Sequence, residues 1–383
     1  MLSVFSRRRA FQLAGAAALA QPRLFSFQQM APTRRPGDAP LADYEAFPEN
    51  KLRPTVSLVQ GNSRRKNVYD ALVAIDKDIA PKLKTKKYVI IKPNIVFAQA
   101  KGALSATDAD ELHGIIDYLE PRFKGPVMIA ESSAGDTLKM YEVLEYNKVV
   151  NEHKGMKISL VDLNRDPNIK VMPVIDYNLH VVPIRLAGRL FDPDAFIFSA
   201  AIMKTHNVAV ATLNIKNLVL GAPLHWVPGD NSKFNDKRKM HAGVRQTNYL
   251  MYMVAAEMKP YWGAGVIDGF EGMEGNGPGQ GTPVPSRIAI ASTDYVAADR
   301  VGVEAMGIDA GYLGALNYLG SAGFGQWDLA KINLVGPPIS SVQKKYRLHT
   351  DIERELQWQG PMLDLPPNIG WTRPIDPERD ITA

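Results

Sequence analysis

The sequence predicts an α/β fold: a mainly parallel, twisted sheet with helices on both faces, in three layers. Two observations predict it. Short β-rich runs that are apolar along most of their length recur through the chain, and stretches with helical spacing of apolar residues lie between them. Strands buried on both faces read as continuous apolar runs, and their alternation with helices is the pattern of a parallel sheet. The 383 residues are 45% apolar and show no internal repeat, which is enough for a sizeable core.

The strands are expected at 55–61 ("TVSLVQG"), 87–94 ("KYVIIKPN"), 126–133 ("PVMIAESS") and 157–164 ("KISLVDLN"). Further runs follow at 195–201 ("AFIFSAA"), 263–269 ("GAGVIDG"), 287–293 ("RIAIAST") and 331–336 ("KINLVG"), with a hairpin strand at 178–186 ("NLHVVPIRL"). Helices are expected in "DADELHGIIDYLEPRF" and "TLKMYEVLEYNKVVNEH". Another is expected in "DYVAADRVGVEAMG", where Val296, Val301, Val303 and Met306 suit one buried face. Asp136 and Asp294 stand just before helices and are N-cap candidates. One α/β domain is expected over 51–337. Residues 338–383 are polar and Pro-rich and predict a tail wrapping the surface.

The N-terminus carries a targeting pattern. "SRRRAFQLAGAAALA" joins arginines to an apolar run of about 11 residues, too short for the ~20 that cross a bilayer. With Ala18-Leu19-Ala20 as a cleavage site, residues 1–20 read as a signal peptide. The Arg8-Arg9-Ala10-Phe11 run resembles the twin-arginine type, with an ordinary Sec signal as the alternative. The reading predicts delivery by the twin-arginine export machinery to the periplasm and no stable membrane span after cleavage. Residues 21–50, rich in Pro, Gln, Arg and Ala, predict a linker or arm.

Composition narrows the chemistry. The formal charge is +5, but Arg7, Arg8 and Arg9 supply three of these charges, and clusters such as 63–66 and 82–87 read as solvated faces. A nucleic-acid partner is not expected. With no cysteine there is no disulfide, no thiolate zinc site and no cysteine-held iron–sulfur cluster.

Open α/β sheets bind ligands beyond the carboxyl ends of their strands. Here those ends carry Lys92-Pro93-Asn94, Glu131-Ser132-Ser133, Lys204-Thr205-His206, Asp268 and Asp294. Lys204 and His206, two apart, would point the same way in an extended chain, so an ammonium and an imidazole could hold an anion and move a proton. In "LNIKN", Asn214 and Asn217 would share a helix face, with Lys216 pointing elsewhere. The aperiodic segment "APLHWVPGDNSKFNDKRKMHAGVRQ" (222–246) contains His225, Trp226 and His241 and predicts a lid. In "VIDGFEGMEGNGPGQG" (266–281), Asp268, Glu271 and Glu274 could coordinate a cation or supply a base, and Gly277 and Gly279 could let backbone approach a ligand. The spacing is neither that of a Walker loop nor that of the dinucleotide fingerprint, and no G-x-S-x-G elbow occurs.

Taken in order, "VIIKPNIV", "IAESSAG", "IMKTHNVAVATLNIKNLVLG", "VIDGFEGMEGNGPGQG", "IAIASTDYVAADRVGVEAMG" and "GFGQWDLAKINLVG" resemble the domain of unknown function three-sixty-two family, over roughly 55–336. The resemblance singles out Lys92, Asn94, Glu131, Ser132, Lys204, His206, Lys216, Asn217, Asp268, Glu274, Gly277, Gly279, Asp294 and Asp299, without roles. Some relatives carry ferredoxin-like iron–sulfur modules; this chain, lacking cysteine, departs from them.

The expectation is an exported enzyme acting on a small anionic or polyhydroxylated molecule, as a hydrolase, lyase or isomerase, with or without metal assistance. Lys204, His206, Asp268 and Glu274 are its catalytic candidates. Lys92, Asn94, Glu131, Ser132, Lys216, Asn217, His241, Gly277 and Gly279 would bind the substrate. Asp268, His206 and Glu271 would hold any divalent metal. The alternative is an exported solute- or cofactor-binding protein without turnover.

Overall fold

A computed structural model of the chain describes residues 49–96, 100–225, 235–241 and 243–359. The expected signal peptide, nearly all of the arm, Trp226 and the last part of the tail lie outside these residues. The strands are β1 (Thr55–Gln60), β2 (Tyr88–Pro93), β3 (Val127–Glu131), β4 (Ile158–Asp162), β5 (Ile169–Ile175) and β6 (Val181–Ala187), followed by β7 (Ala195–His206), β8 (Val210–Thr212), β9 (Trp262–Asn276), β10 (Gln280–Val284), β11 (Ile288–Ser292) and β12 (Asn333–Val335). The longer helices are α1 (Arg64–Ala74), α2 (Asp76–Leu83), α3 (Ala109–Leu119), α4 (Thr137–Val143) and α5 (Tyr146–Glu152), then α6 (Asn214–Val219), α7 (Asp236–Lys239), α8 (Val244–Met258), α9 (Tyr295–Ala305) and α10 (Gly314–Ser321).

A ten-stranded sheet runs in the order β12-β1-β11-β9-β7-β2-β3-β4, with β10 paired to β9 and β8 to β7. Along that main path only β11 is antiparallel to its neighbours. The fold is therefore α/β with a mostly parallel sheet. One face packs Val68, Leu72, Ile79, Ile115 and Tyr146 of α1–α5 against Ile91, Phe196, Phe198 and Val266. The other packs Leu218, Val254, Val301 and Leu319 of α6, α8, α9 and α10 against Ile90, Ile197 and Ile267. Alternate residues of β7 thus enter opposite cores, which explains its unbroken apolar run. Both N-cap candidates cap: Asp136 accepts from the backbone N–H of Lys139, and Asp294 from that of Ala297. Among the described residues no helix is long and apolar enough to cross a membrane.

Four departures from the sequence reading matter. β7 does not stop at Ala201 but carries Lys204 and His206 within the strand. β9 continues to Asn276 and turns through Gly277 and Pro278 into β10, so the glycine-rich stretch is a β-hairpin. The mismatch is taken up where Ile202 pairs with Asp268 but Lys204 pairs with Met273. Extra residues on β9 form a bulge there, which bends a strand and ends its regular pairing. The 222–246 segment contains α7 and the start of α8. In the tail, Val342 and Tyr346 are buried in the core rather than draped over it.

Candidate functional site

Asn94 follows β2, Glu131 closes β3 and His206 closes β7. These strands are parallel, so their carboxyl ends share one edge. At that edge lies a cavity of about 630 Å³. Lys92, Asn94, Glu131, His206, Lys216 and His241 line it, all of them expected from sequence. His225, Lys237, Arg238 and Arg354 join them. Among the described lining residues Glu131 is the single carboxylate.

The floor is a buried hydrogen-bond network. Lys92 Nζ donates to Glu131 Oε2 at 2.8 Å, to Asn217 Oδ1 at 3.1 Å and to the Pro93 carbonyl at 3.0 Å. Glu131 also accepts from the backbone N–H groups of Ile95 and Ser132. Asn217 donates through Nδ2 to the Lys92 carbonyl, Ser199 Oγ and the Ala200 carbonyl, and so ties α6 to β2 and β7. Lys204 Nζ donates to Asn94 Oδ1 at 2.6 Å and to the Ser105 carbonyl at 2.7 Å. It supports the floor from beneath and does not line the cavity. Burial lowers Lys204 well below the ordinary lysine range, aided by Lys216.

α6 sets Lys216. Its first N–H groups, from Asn214 and Ile215, donate to Asp299 Oδ1 and Oδ2, each at 2.9 Å. Asp299 lies on α9 and therefore caps a neighbouring helix. Burial raises the Asp299 carboxyl to about 7 despite those two bonds. Lys216 is 7% exposed, and its amine makes no hydrogen bond to any described residue. Burial, then the charges of Lys237 and Lys92, lower it to about 7.

Lys237 was not singled out by the sequence. Its Nζ donates to the carbonyls of Gly221 and Leu220, at 3.0 and 3.2 Å, and to Ser132 Oγ at 3.3 Å. Burial brings it to about 7 as well, yet three acceptors around the amine favour the ammonium form. The recoverable signal was Asn235, whose side chain accepts from the Arg238 N–H and starts α7.

Two histidines have fixed tautomers. His241 Nδ1 lies 2.7 Å from the Lys237 carbonyl, which can only accept, so the proton is on Nδ1 and Nε2 keeps a lone pair. His206 Nδ1 accepts from the Val208 N–H, so its proton is on Nε2. Burial, together with nearby cations, lowers His241 to about 4 and His206 well below the usual histidine range. Both rings are neutral at pH 7.

Other candidates do not reach the cavity. Asp268 lies 2.9 Å from Arg64 Nε, accepts from the Phe270 N–H and is raised by burial to about 6. Buried Glu111 and partly exposed Asp108 complete that cluster around Arg64, which is therefore not on a solvated face. Glu274 accepts from Arg347 N and Nε, bonds that hold its carboxyl below the usual range against its partial burial. Glu271 is half-buried on β9, also away from the cavity. Among the described residues no three His, Asp or Glu side chains come together as a metal group. The expected set of Asp268, His206 and Glu271 is thus not assembled. Ser132 acts through backbone N–H and hydroxyl contacts behind the wall. Gly277 is buried against β7, a Cβ there lying 2.0 Å from the Thr205 carbonyl, and Gly279 is exposed.

The family model for the domain of unknown function DUF362 matches residues 89–304. The chain belongs to the DUF362 family. The DUF362 span runs from β2 into α9 and supplies every lining residue named above except Arg354. No curated protein matches the chain. A crystal structure of a Thermotoga maritima protein from a structural genomics consortium is similar over 59% of this chain and 55% of that one, with 9% identity and a TM-score of 0.37. The chain thus spans about half of that neighbour's length.

Proposed function

We propose that this DUF362 chain binds a small anion at the carboxyl edge of its sheet and moves protons on it, as an exported lyase or isomerase. One observation carries the reading: among the described residues Lys92, Lys216, Lys237, Arg238 and Arg354 surround the cavity against the one carboxylate of Glu131. Burial strengthens each charge interaction there, because little water screens it. The neutral rings supply the proton traffic: His206 offers an N–H, and His241 offers a lone pair. The placement outside the cytoplasm rests on Arg8 and Arg9 and is tested by changing both to Lys. Continued normal export of that variant would remove the twin-arginine route.

The cavity reading is tested by calorimetric titration with phosphate, sulfate and oxalate. At least one should bind the parent, and Lys237→Met, which removes a positive charge from the poorly screened wall, should weaken it by about tenfold. Binding of none, or equal binding to the variant, overturns the reading. A binding protein without turnover is the second reading, favoured by the fixed hydrogen bonds of Lys92 and Lys237. It predicts tight anion binding that survives loss of the His241 ring.

A further inference from the structure

Three buried lysines, Lys92, Lys204 and Lys216, and the half-buried Lys237 gather at this strand edge, and their amines differ in one respect. Lys92 and Lys237 each donate to three acceptors, which uses every N–H an ammonium has. Lys204 donates to two and lies behind the floor. Lys216 alone among them lines the cavity with an amine that no described acceptor holds. Its helix is pinned by Asp299 at one end and by Asn217 along its length, so the amine is carried on a fixed support.

We propose that Lys216 forms an imine with the carbonyl carbon of a small 2-oxo acid held in the cavity. This inference rests on the anion reading, because the carboxylate of the oxo acid is what Arg238 and Arg354 would face, with the Lys92 and Lys237 charges adding attraction through space. An amine poised near 7 is half neutral at physiological pH, whereas an ordinary lysine is almost wholly protonated. The neutral nitrogen adds its lone pair to the carbonyl carbon, and the C–O π electrons move onto oxygen. Both amine hydrogens then leave with that oxygen as water while the C=N bond forms. No oxidant or reductant is consumed. His241 Nε2 can take a proton from nitrogen and the Nε2–H of His206 can donate one to oxygen, the two transfers the step requires. A proton taken up from water on the imine nitrogen gives the iminium, which withdraws electrons from the adjacent C–C and C–H bonds, as a lyase or isomerase acting on an oxo acid needs.

The test incubates the full-length protein with pyruvate, and separately with 2-oxoglutarate, in the presence of cyanoborohydride. Intact mass and peptide mapping follow. One reduced oxo-acid increment per chain is expected on the peptide holding Lys216, with a yield that rises as pH passes 7. Acetone, which has the carbonyl but no charge, should label poorly. Lys216→Arg keeps a cation but cannot form the imine, so it should bind phosphate and lose the label. Label that persists in Lys216→Arg, or none in a parent that still binds phosphate, overturns the imine and leaves the anion site standing. Failure of the parent to bind any anion or take any label overturns both.

Discussion

Lys92 Nζ lies 2.8 Å from Glu131 Oε2, with both side chains almost wholly removed from water. The pair joins neighbouring strands at the cavity floor, and Asn217 Oδ1 takes a second Lys92 hydrogen. Removing one partner of such a pair leaves a buried charge uncompensated. Glu131→Gln should therefore destabilise the protein by about 3–5 kcal/mol. Adding Lys92→Met to it should recover part of the loss, since no unpaired ammonium then remains. Urea denaturation of the two single variants and the double variant checks this. Additive losses would show that the two side chains are not coupled.

Anion affinity should fall as pH rises through about 7. Lys216 loses its proton there, and an anion prefers the ammonium. His206 and His241 do not confuse the profile, because both are already neutral on the acid side of this window. Phosphate has its own second ionisation near this pH, so sulfate or oxalate is the better probe. Calorimetry with sulfate at pH 6 and pH 8 should show tighter binding at the lower value. Lys216→Ala should weaken and flatten the difference. A parent that binds equally at both values would assign the charge elsewhere.

Asp299→Asn should change how stability varies with pH. The folded carboxyl sits at about 7, above the ~3.9 of an unfolded aspartate. Between those values the folded state keeps a proton that the unfolded state has released. The Asp299 contribution to stability is then present below about pH 4 and declines as pH rises to about 7. The variant also has one acceptor fewer for the N–H groups of Asn214 and Ile215, so it should be less stable at low pH, by about 1–2 kcal/mol. Its deficit should narrow towards pH 7 in a series of thermal melts. A deficit that widens with pH would reverse the assignment.

Much of this arrangement was legible in the sequence. Parallel topology followed from β2, β3 and β7 being apolar on both faces, and that topology gathered Lys92, Asn94, Glu131 and His206 on one edge. Asp268 stands near a strand end in the sequence, but its direction is set by Arg64 of α1, a contact far apart in sequence that local pattern does not carry. The glycine-rich run hid a hairpin because glycines weaken strand patterning, and only pairing with β10 restores the strand. Lys237 and Arg354 sit in segments without apolar period, where sequence gives no clue to direction.

Gly277→Ala should destabilise the β9–β10 hairpin. Its Cβ would lie 2.0 Å from the Thr205 carbonyl, a backbone atom that cannot swing aside as a side chain does. Pro278, the next residue, lines the cavity. A cost of about 1–3 kcal/mol, typical of forced overpacking, should therefore come with weaker anion binding. Melting and titration of the same sample check both. Full stability in the variant would mean that the hairpin lies farther from β7.

β1 stands between β12 and β11, although it precedes the family-matched span, and α1 beside it supplies the Arg64 that faces Asp268. A fragment trimmed to residues 89–304 would strip one flank of β11 and leave its backbone donors and acceptors bare, an invitation to intermolecular strand pairing. It would also lose Tyr346 from the core and Arg354 from the cavity wall. The matched span is thus smaller than the unit that covers both flanks of β11 and completes the cavity wall. Recombinant pieces for binding assays should accordingly be cut outside β1 at one end and beyond Gln359 at the other.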